Sequence, residues 1–138
     1  MGRQASPVVK PGGEMDDMVA EYVKDLDGLG AENAWFSLVE LGPSVLPQLR
    51  GAYYQARNAQ VRSGLIRVIR ELRDRGSFDL LESALSENEP IVWQAALDAL
   101  VTLGGADAVA ALHRASRNAV SDKMVWVREA LAQVQSKQ

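Results

Sequence analysis

The sequence has no cysteine, a single histidine and few aromatic residues. Without cysteine there are no disulfides, no thiolate zinc sites and no cysteine nucleophiles. A lone His113 excludes a catalytic histidine pair and a metal site built from several histidines. No apolar run approaches the ~20 residues that span a bilayer, and the N-terminus lacks the apolar core of a secretory signal. We therefore expect a cytoplasmic protein with no membrane segment, metal ion or cofactor.

The common catalytic and nucleotide-binding motifs are also missing. None of the patterns G-x-x-x-x-G-K, G-x-G-x-x-G, G-x-S-x-G and H-E-x-x-H occurs. The carboxylates are scattered in a way typical of solvated helix faces, not of a paired acid and base. We assign no catalytic residue and expect no enzyme activity.

What is present is the composition of a folded helical domain. The 138 residues are 47% hydrophobic and 24% charged, which suits one globular domain. Low aromatic content with abundant alanine and leucine favours helix packing over a β-sandwich. Residues 1–13 lack periodicity and contain two prolines and paired glycines, so we interpret them as a flexible N-terminal tail. The domain is assigned to residues 14–138.

Charge is distributed unevenly along the chain. Residues 1–41 carry −5, residues 42–75 carry +5 and residues 76–138 carry −3. The middle third holds seven arginines against Glu71 and Asp74. Two interpretations remain open: a basic surface for an acidic partner, or arginines paired within the molecule.

Apolar residues at three- and four-residue spacing predict eight short-looped helices in four antiparallel pairs. Ser44 and Asn58 are expected to cap the third and fourth helices, and Gly42, Gly76 and Gly104 are expected to end helices. The first helix starts near Glu14, the third follows Ser44, the fifth lies around 78–85 and the seventh around 108–115. The even-numbered helices are predicted at 31–41, 58–74, 89–103 and 122–136.

A shift of 31 residues superimposes three segments of the chain. Four aligned columns are apolar throughout: Ala34/Leu65/Ala96, Trp35/Ile66/Leu97, Leu38/Ile69/Leu100 and Leu41/Leu72/Leu103. One amphipathic helix does not require such agreement, so the columns indicate a repeat architecture. A fourth unit fits at a shift of 34 residues.

The segments NAQVRSGLIRVIREL and EPIVWQAALDALVTLGGADAVAAL resemble HEAT repeats, specifically the short bacterial type associated with bilin lyases. The resemblance covers residues 14–136. It implies an all-α fold, an α-α superhelix that forms a short right-handed solenoid of about four helix pairs. One departure is that Arg62 stands at the usual arginine position in one unit, whereas Trp93 stands there in the next.

In this family the second helix of each pair lines the concave face. Its outward columns here are Glu32/Ser63/Gln94, Phe36/Arg67/Asp98 and Glu40/Glu71/Thr102, with Val39/Arg70/Val101 on the flank. We expect Arg67 to pair with Glu71 or Asp98, and Arg70 with Asp74. Phe36 is either exposed or covered by residues 14–29, and Trp93 is either a packing residue or a surface anchor. The predicted partner-binding residues are Phe36, Arg67, Arg70, Trp93, Asp98 and Val101.

The resemblance and the missing catalytic residues favour a module that binds another protein. Small bacterial proteins of similar appearance include candidate immunity proteins, which neutralise toxins. An alternative is an accessory subunit, similar to bilin lyase subunits, that holds a small ligand or a modified protein. A second alternative is nucleic-acid binding through residues 57–75. The net charge of −3 and the predicted internal arginine pairs make nucleic acid the weaker hypothesis.

Overall fold

The computed structural model describes residues 13–119 and 121–137, and within them the chain forms eight α-helices and no strand. The predicted tail at residues 1–13 lies outside this part, apart from Gly13. The helices are α1 (Gly13–Asp25), α2 (Ala31–Leu41), α3 (Leu46–Gln55), α4 (Ala59–Leu72), α5 (Phe78–Ala84), α6 (Pro90–Leu103), α7 (Gly105–Asn118) and α8 (Ser121–Ser136). The all-α solenoid that the repeat predicts is confirmed.

Consecutive helices pack as pairs, and the pairs stack in two layers. The pairs are α1 with α2, α3 with α4, α5 with α6, and α7 with α8. In the second-helix layer, α2 contacts α4, α4 contacts α6, and α6 contacts α8. In the first-helix layer, α1 contacts α3 and α5 contacts α7. The hydrophobic core lies between the layers.

The repeated apolar columns form this core. Two columns, Ala34/Leu65/Ala96 and Leu38/Ile69/Leu100, are buried at every position. Their fourth members, Ala130 and Val134, are also buried. Trp35 departs from its column, because Ile66 and Leu97 are buried whereas Trp35 is only half-buried. The 31-residue shift therefore identifies the core-facing stripe of each second helix, although Leu41 and Leu103 are also only half-buried.

The helix ends are set by local residues, but two of the predicted helix boundaries differ from those in the structure. Gly42 and Gly104 end helices at positive φ, and Asn58 Oδ1 caps α4 by accepting from the backbone N–H groups of Gln60 and Val61. Ser44 was wrong as a cap: it lies within a 3₁₀ turn, Pro43–Val45, that joins directly to α3. Gly76 does not end α4 either, because the helix stops at Leu72 and Arg73 adopts the left-handed conformation at φ 54°.

Polar side chains connect successive repeats in the first-helix layer. Gln48 Nε2 donates to Asp16 Oδ1 at 3.0 Å, linking α3 to α1. Arg50 joins Asp79 at 2.7 Å, linking α3 to α5. Arg114 makes two bonds to the Glu82 carboxylate, at 2.7 and 2.8 Å, linking α7 to α5. These partners are 29 to 32 residues apart in sequence, so each bond crosses one repeat boundary.

Glu87, in the loop before α6, connects three helices. Its carboxylate accepts from Arg62 Nη1 at 2.8 Å and from the Tyr53 hydroxyl at 3.3 Å. Its backbone carbonyl accepts from Lys123 Nζ at 2.8 Å. Burial, followed by the nearby negative charge of Glu87, raises the pKa of the Tyr53 phenol well above its ordinary value. α3, α4 and α8 are therefore all tied to one loop residue.

Candidate protein-binding face

The second-helix face is the solvent-accessible surface of α2, α4, α6 and α8. The expected columns are accessible there: Phe36, Arg67 and Asp98 are exposed, and Glu32 and Glu40 are exposed at the α2 end. The remaining members of the four columns are half-buried. The sequence therefore identified the surface of this layer correctly, while the binding role of its residues stays a prediction.

Like Trp126 on α8, Phe36 is an exposed aromatic residue of this face. Its relative exposure is 53%, which decides between the two expected positions: residues 14–29 do not cover it. Its ring lies edge-to-face against Trp35, with the centroids 4.9 Å apart. An exposed ring fixed by a second ring contributes contact area at low cost in conformational entropy.

The central ion pairs differ from those predicted. Arg70 binds both Asp98, on α6, and Glu71, whose carboxylate lies 2.8 Å from Nη2. Arg67 makes no ion pair with any residue in the described part of the chain, so the expected pairing of Arg67 with Asp98 or Glu71 was wrong. Helical side chains lean towards the N-terminus of their helix, and the long arginine extends further in that direction than the short aspartate. Arg70 therefore reaches back to the level of Asp98, although the alignment places Arg67 opposite that residue.

Asp74, the predicted partner of Arg70, caps a neighbouring turn instead. Its Oδ1 accepts from the Gly76 backbone N–H at 2.7 Å and caps the 3₁₀ turn before α5. Because α4 ends at Leu72, Asp74 no longer lies one helical turn beyond Arg70. The predicted spacing of four residues consequently did not bring these two side chains together.

Trp93 is removed from the binding face by burial. Its relative exposure is 5%, and its ring packs edge-to-face against Trp126 at 5.9 Å between centroids. The Lys123 ammonium lies 5.6 Å from the Trp93 centroid, and burial lowers the pKa of Lys123. Trp93 thus fills the space between α6 and α8, where the family pattern has an arginine, so of its two expected roles the structure gives it that of a packing residue. Val101, the last predicted site residue, is half-buried on the flank.

A groove that the sequence did not reveal opens between α2 and α4, with a volume of about 410 Å³. Its walls include Trp35, Phe36 and Glu32 from α2, and Ser63, Gly64 and Arg67 from α4, with Leu26 at its base. We call it the α2–α4 slot. Two features of the sequence could have indicated this slot. One is a glycine in the middle of α4, and the other is a tryptophan in a column otherwise filled by aliphatic residues.

A second groove of about 690 Å³ lies between α5, α7 and α8. Its lining includes Trp93, Arg114, Arg117 and Lys123. Two of these cations are already engaged: Arg114 binds Glu82, and Lys123 donates to the carbonyls of Leu85 and Glu87. His113 is exposed on α7, in the first-helix layer.

The part of the chain that the structure describes contains no group of three potential metal-ligating side chains. Among its helices, none combines the length and the apolar character needed to cross a membrane.

A family model described as HEAT repeats matches residues 43–134, which is most of the chain. The chain belongs to the HEAT-repeat family. HEAT repeats generally mediate protein–protein interactions, and α3 to α7 with most of α8 fall within the matched segment. A search of curated proteins found no significant match. In this HEAT-repeat protein, the arginine at the family position, Arg62, binds Glu87 and the Ala56 carbonyl, so it contributes to packing between repeats.

Proposed function

We propose that this protein is a non-enzymatic binding module that uses its second-helix face to hold a partner protein. The observation that carries the proposal is the arrangement at the centre of this face. Exposed Phe36 and Arg67 lie beside a cluster in which Arg70 forms ion pairs with Glu71 and Asp98. Aromatic and arginine side chains dominate interface energies when a partner buries them.

The specific role we propose is that of a bacterial immunity protein, which neutralises a toxin by covering part of its surface. Its support is the resemblance of the sequence to small repeat proteins of that kind. An immunity role requires a tight complex with a single toxin. It predicts that a toxin gene lies beside the gene for this chain and that the purified protein suppresses the activity of that toxin.

The arginines favour protein binding over nucleic-acid binding, because several of them already bind acceptors within the protein. Arg62 and Arg70 are paired with carboxylates, and Arg75 donates to the carbonyls of Leu103 and Gly104. Arg57, Arg67 and Arg73 have no such partner in the described residues, but they stand before α4, within it and at its C-terminal cap. Isolated cations spread along the length of one helix do not form the continuous basic surface that binds phosphates.

The absence of cysteine from the chain allows a direct test of the face. Partners would be captured by cross-linking from the organism that encodes the chain and identified by mass spectrometry. Thr102→Cys places a unique thiol on the second-helix face, and Ser83→Cys places one on α5 in the opposite layer. Each variant would carry a bulky maleimide, and partner binding would be measured by calorimetry.

We expect the label at position 102 to weaken partner binding by about 30-fold or more, which corresponds to the loss of one interface hot spot. The label at position 83 is expected to leave binding unchanged. Equal affinities for the two labelled proteins would refute use of this face. Failure of the folded protein to capture any protein partner would refute the binding module itself.

A further inference from the structure

The α2–α4 slot combines an apolar wall with a free cation. Trp35 and Phe36 form the aromatic wall, and Arg67 stands on the opposite helix. Arg62, Arg70 and Arg75 all bind internal acceptors, whereas Arg67 has no hydrogen bond or ion pair within the described residues. A guanidinium beside an exposed ring is suited to a carboxylate attached to an apolar group.

The base of the slot is made by a close approach of the α1–α2 turn to α4. A Cβ atom at Gly64 would lie 3.4 Å from both δ carbons of Leu26. Glycine therefore allows Leu26 to pack against the backbone of α4 without displacing the helix. The result is a shallow apolar base between Phe36 and Arg67 rather than a filled interface.

The two ends of the slot differ in charge, and this gives an occupant a preferred direction. Glu32 is exposed one helical turn before Phe36, and Ser63 and Gln60 lie near it in the lining. Arg67 is at the level of Phe36 in the aligned repeats. A carboxylate is consequently attracted to the Arg67 end and repelled from the Glu32 end, where backbone N–H groups or a basic side chain are favoured.

Trp35 supplies an unused donor in the same wall. Its indole Nε1 is shielded from solvent and has no acceptor in the described part of the protein. A buried donor without an acceptor is unfavourable. A small movement of the indole upon binding would allow this N–H to pair with an oxygen of the occupant. The resonance of this group is therefore a specific reporter of the slot.

We propose that the α2–α4 slot is the anchor site for the partner protein, and that it takes an acidic residue adjacent to an apolar side chain. The apolar group stacks on Phe36 and Leu26, and the carboxylate binds Arg67. This inference rests on the proposed function, since it assigns chemistry to the segment that the second-helix face receives. It places the anchor between α2 and α4, at the first repeat boundary.

The test uses 3-phenylpropionate as a probe, with its neutral amide, 3-phenylpropanamide, as the matched control. Each is titrated into the ¹⁵N-labelled full chain and followed by the amide and indole resonances. Trp35→Phe assigns the indole signal of Trp35 among the three tryptophans. Arg67→Gln removes the cation, and Arg73→Gln is the control, because Arg73 is exposed at the end of the same helix and does not line the slot.

We expect the acid to shift the Trp35 indole and the backbone signals of residues 63–67. We also expect the acid to bind about fivefold to tenfold more tightly than the amide, because one charge-assisted contact contributes a difference of this size. Arg67→Gln should abolish the preference for the acid, and Arg73→Gln should preserve it.

Equal affinity for acid and amide, shifts outside the slot, or an unchanged preference in Arg67→Gln would overturn the inference. If the probe fails while the label at Thr102 still blocks the partner, the slot is wrong and the proposed function stands. If the probe binds as expected while the label at Thr102 has no effect, the slot is a carboxylate site but the use of the wider face is wrong.

Discussion

At the scale of single residues, Glu87 shows how one side chain holds several repeats together. It lies in a loop, where the helical pattern of the sequence gives no signal. Yet its carboxylate joins Tyr53 and Arg62, and its carbonyl binds Lys123. The Arg62 and Glu87 side chains are 22% and 27% exposed, so water only partly screens this pair. Partly buried ion pairs with additional hydrogen bonds stabilise more than surface pairs do.

We predict that Glu87→Gln lowers the free energy of unfolding by about 1–2 kcal/mol, since the charge-assisted bond to Arg62 is lost while the shape is kept. The matched control is Glu129→Gln on α8, where Glu129 is exposed and pairs with no described residue. Urea unfolding followed by circular dichroism measures both variants. Similar urea midpoints for the two variants would show that the Glu87 network contributes little to stability.

At the scale of elements, the junction between α6 and α7 depends on two consecutive glycines with positive φ. Gly104 has φ 64° and Gly105 has φ 82°. Arg75, from the previous repeat, donates to the carbonyls of Leu103 and Gly104 and stacks 5.0 Å from the Phe78 ring centroid. A Cβ atom at Gly105 would lie 2.7 Å from Arg75 Nη2. The backbone conformation therefore requires glycine here, and a Cβ atom would also move the Arg75 guanidinium.

We predict that Gly105→Ala destabilises the protein by about 2 kcal/mol, because alanine is strained at this φ and displaces Arg75. Gly51→Ala, in the middle of α3, should instead stabilise by about 0.5–1 kcal/mol, since a Cβ there meets nothing within 4 Å and alanine favours the helix. Thermal unfolding distinguishes the two substitutions by the sign of the change. A destabilised Gly51→Ala protein or a neutral Gly105→Ala protein would contradict this explanation.

At the scale of the whole molecule, the ion pairs of the first-helix layer make stability depend on pH. Hydrogen bonds from Arg50 lower the pKa of Asp79, and those from Arg114 lower the pKa of Glu82. A carboxylate with a depressed pKa in the folded state stabilises the fold above its unfolded pKa, which is about 4. That contribution is lost as the pH falls through the lower, folded value. The links between α3, α5 and α7 should therefore weaken together in acid.

We predict that Asp79→Asn combined with Glu82→Gln reduces stability at pH 7 and flattens its decline between about pH 5 and 2. Asp17→Asn is the control, as Asp17 is exposed and pairs with no residue in the described ranges. Urea midpoints measured across this pH range give the comparison. If the double variant and the wild-type protein lose stability with equal slopes, these two links do not govern the acid response.

The sequence by itself determined the helices, their pairing and the stripe that each second helix buries. Ala34, Leu65 and Ala96 are buried at equivalent positions, as the 31-residue shift predicts. Asn58 was predictable as a cap because its bonds reach only two and three residues along the chain. Such features depend on local spacing and on a repeated requirement to bury apolar surface, and both are visible in the amino-acid sequence.

Tertiary structure alone decided which polar side chains meet across repeats. Arg70, not Arg67, binds Asp98, because a long arginine leans further along its helix than a short aspartate does, and alignment does not contain this offset. Trp93 is buried because α8 packs against it, and the α2–α4 slot exists because Leu26 packs closely over Gly64. These outcomes depend on how neighbouring helices approach one another. That approach is set by packing over the whole core, so the free cation at Arg67 became visible only in the folded molecule.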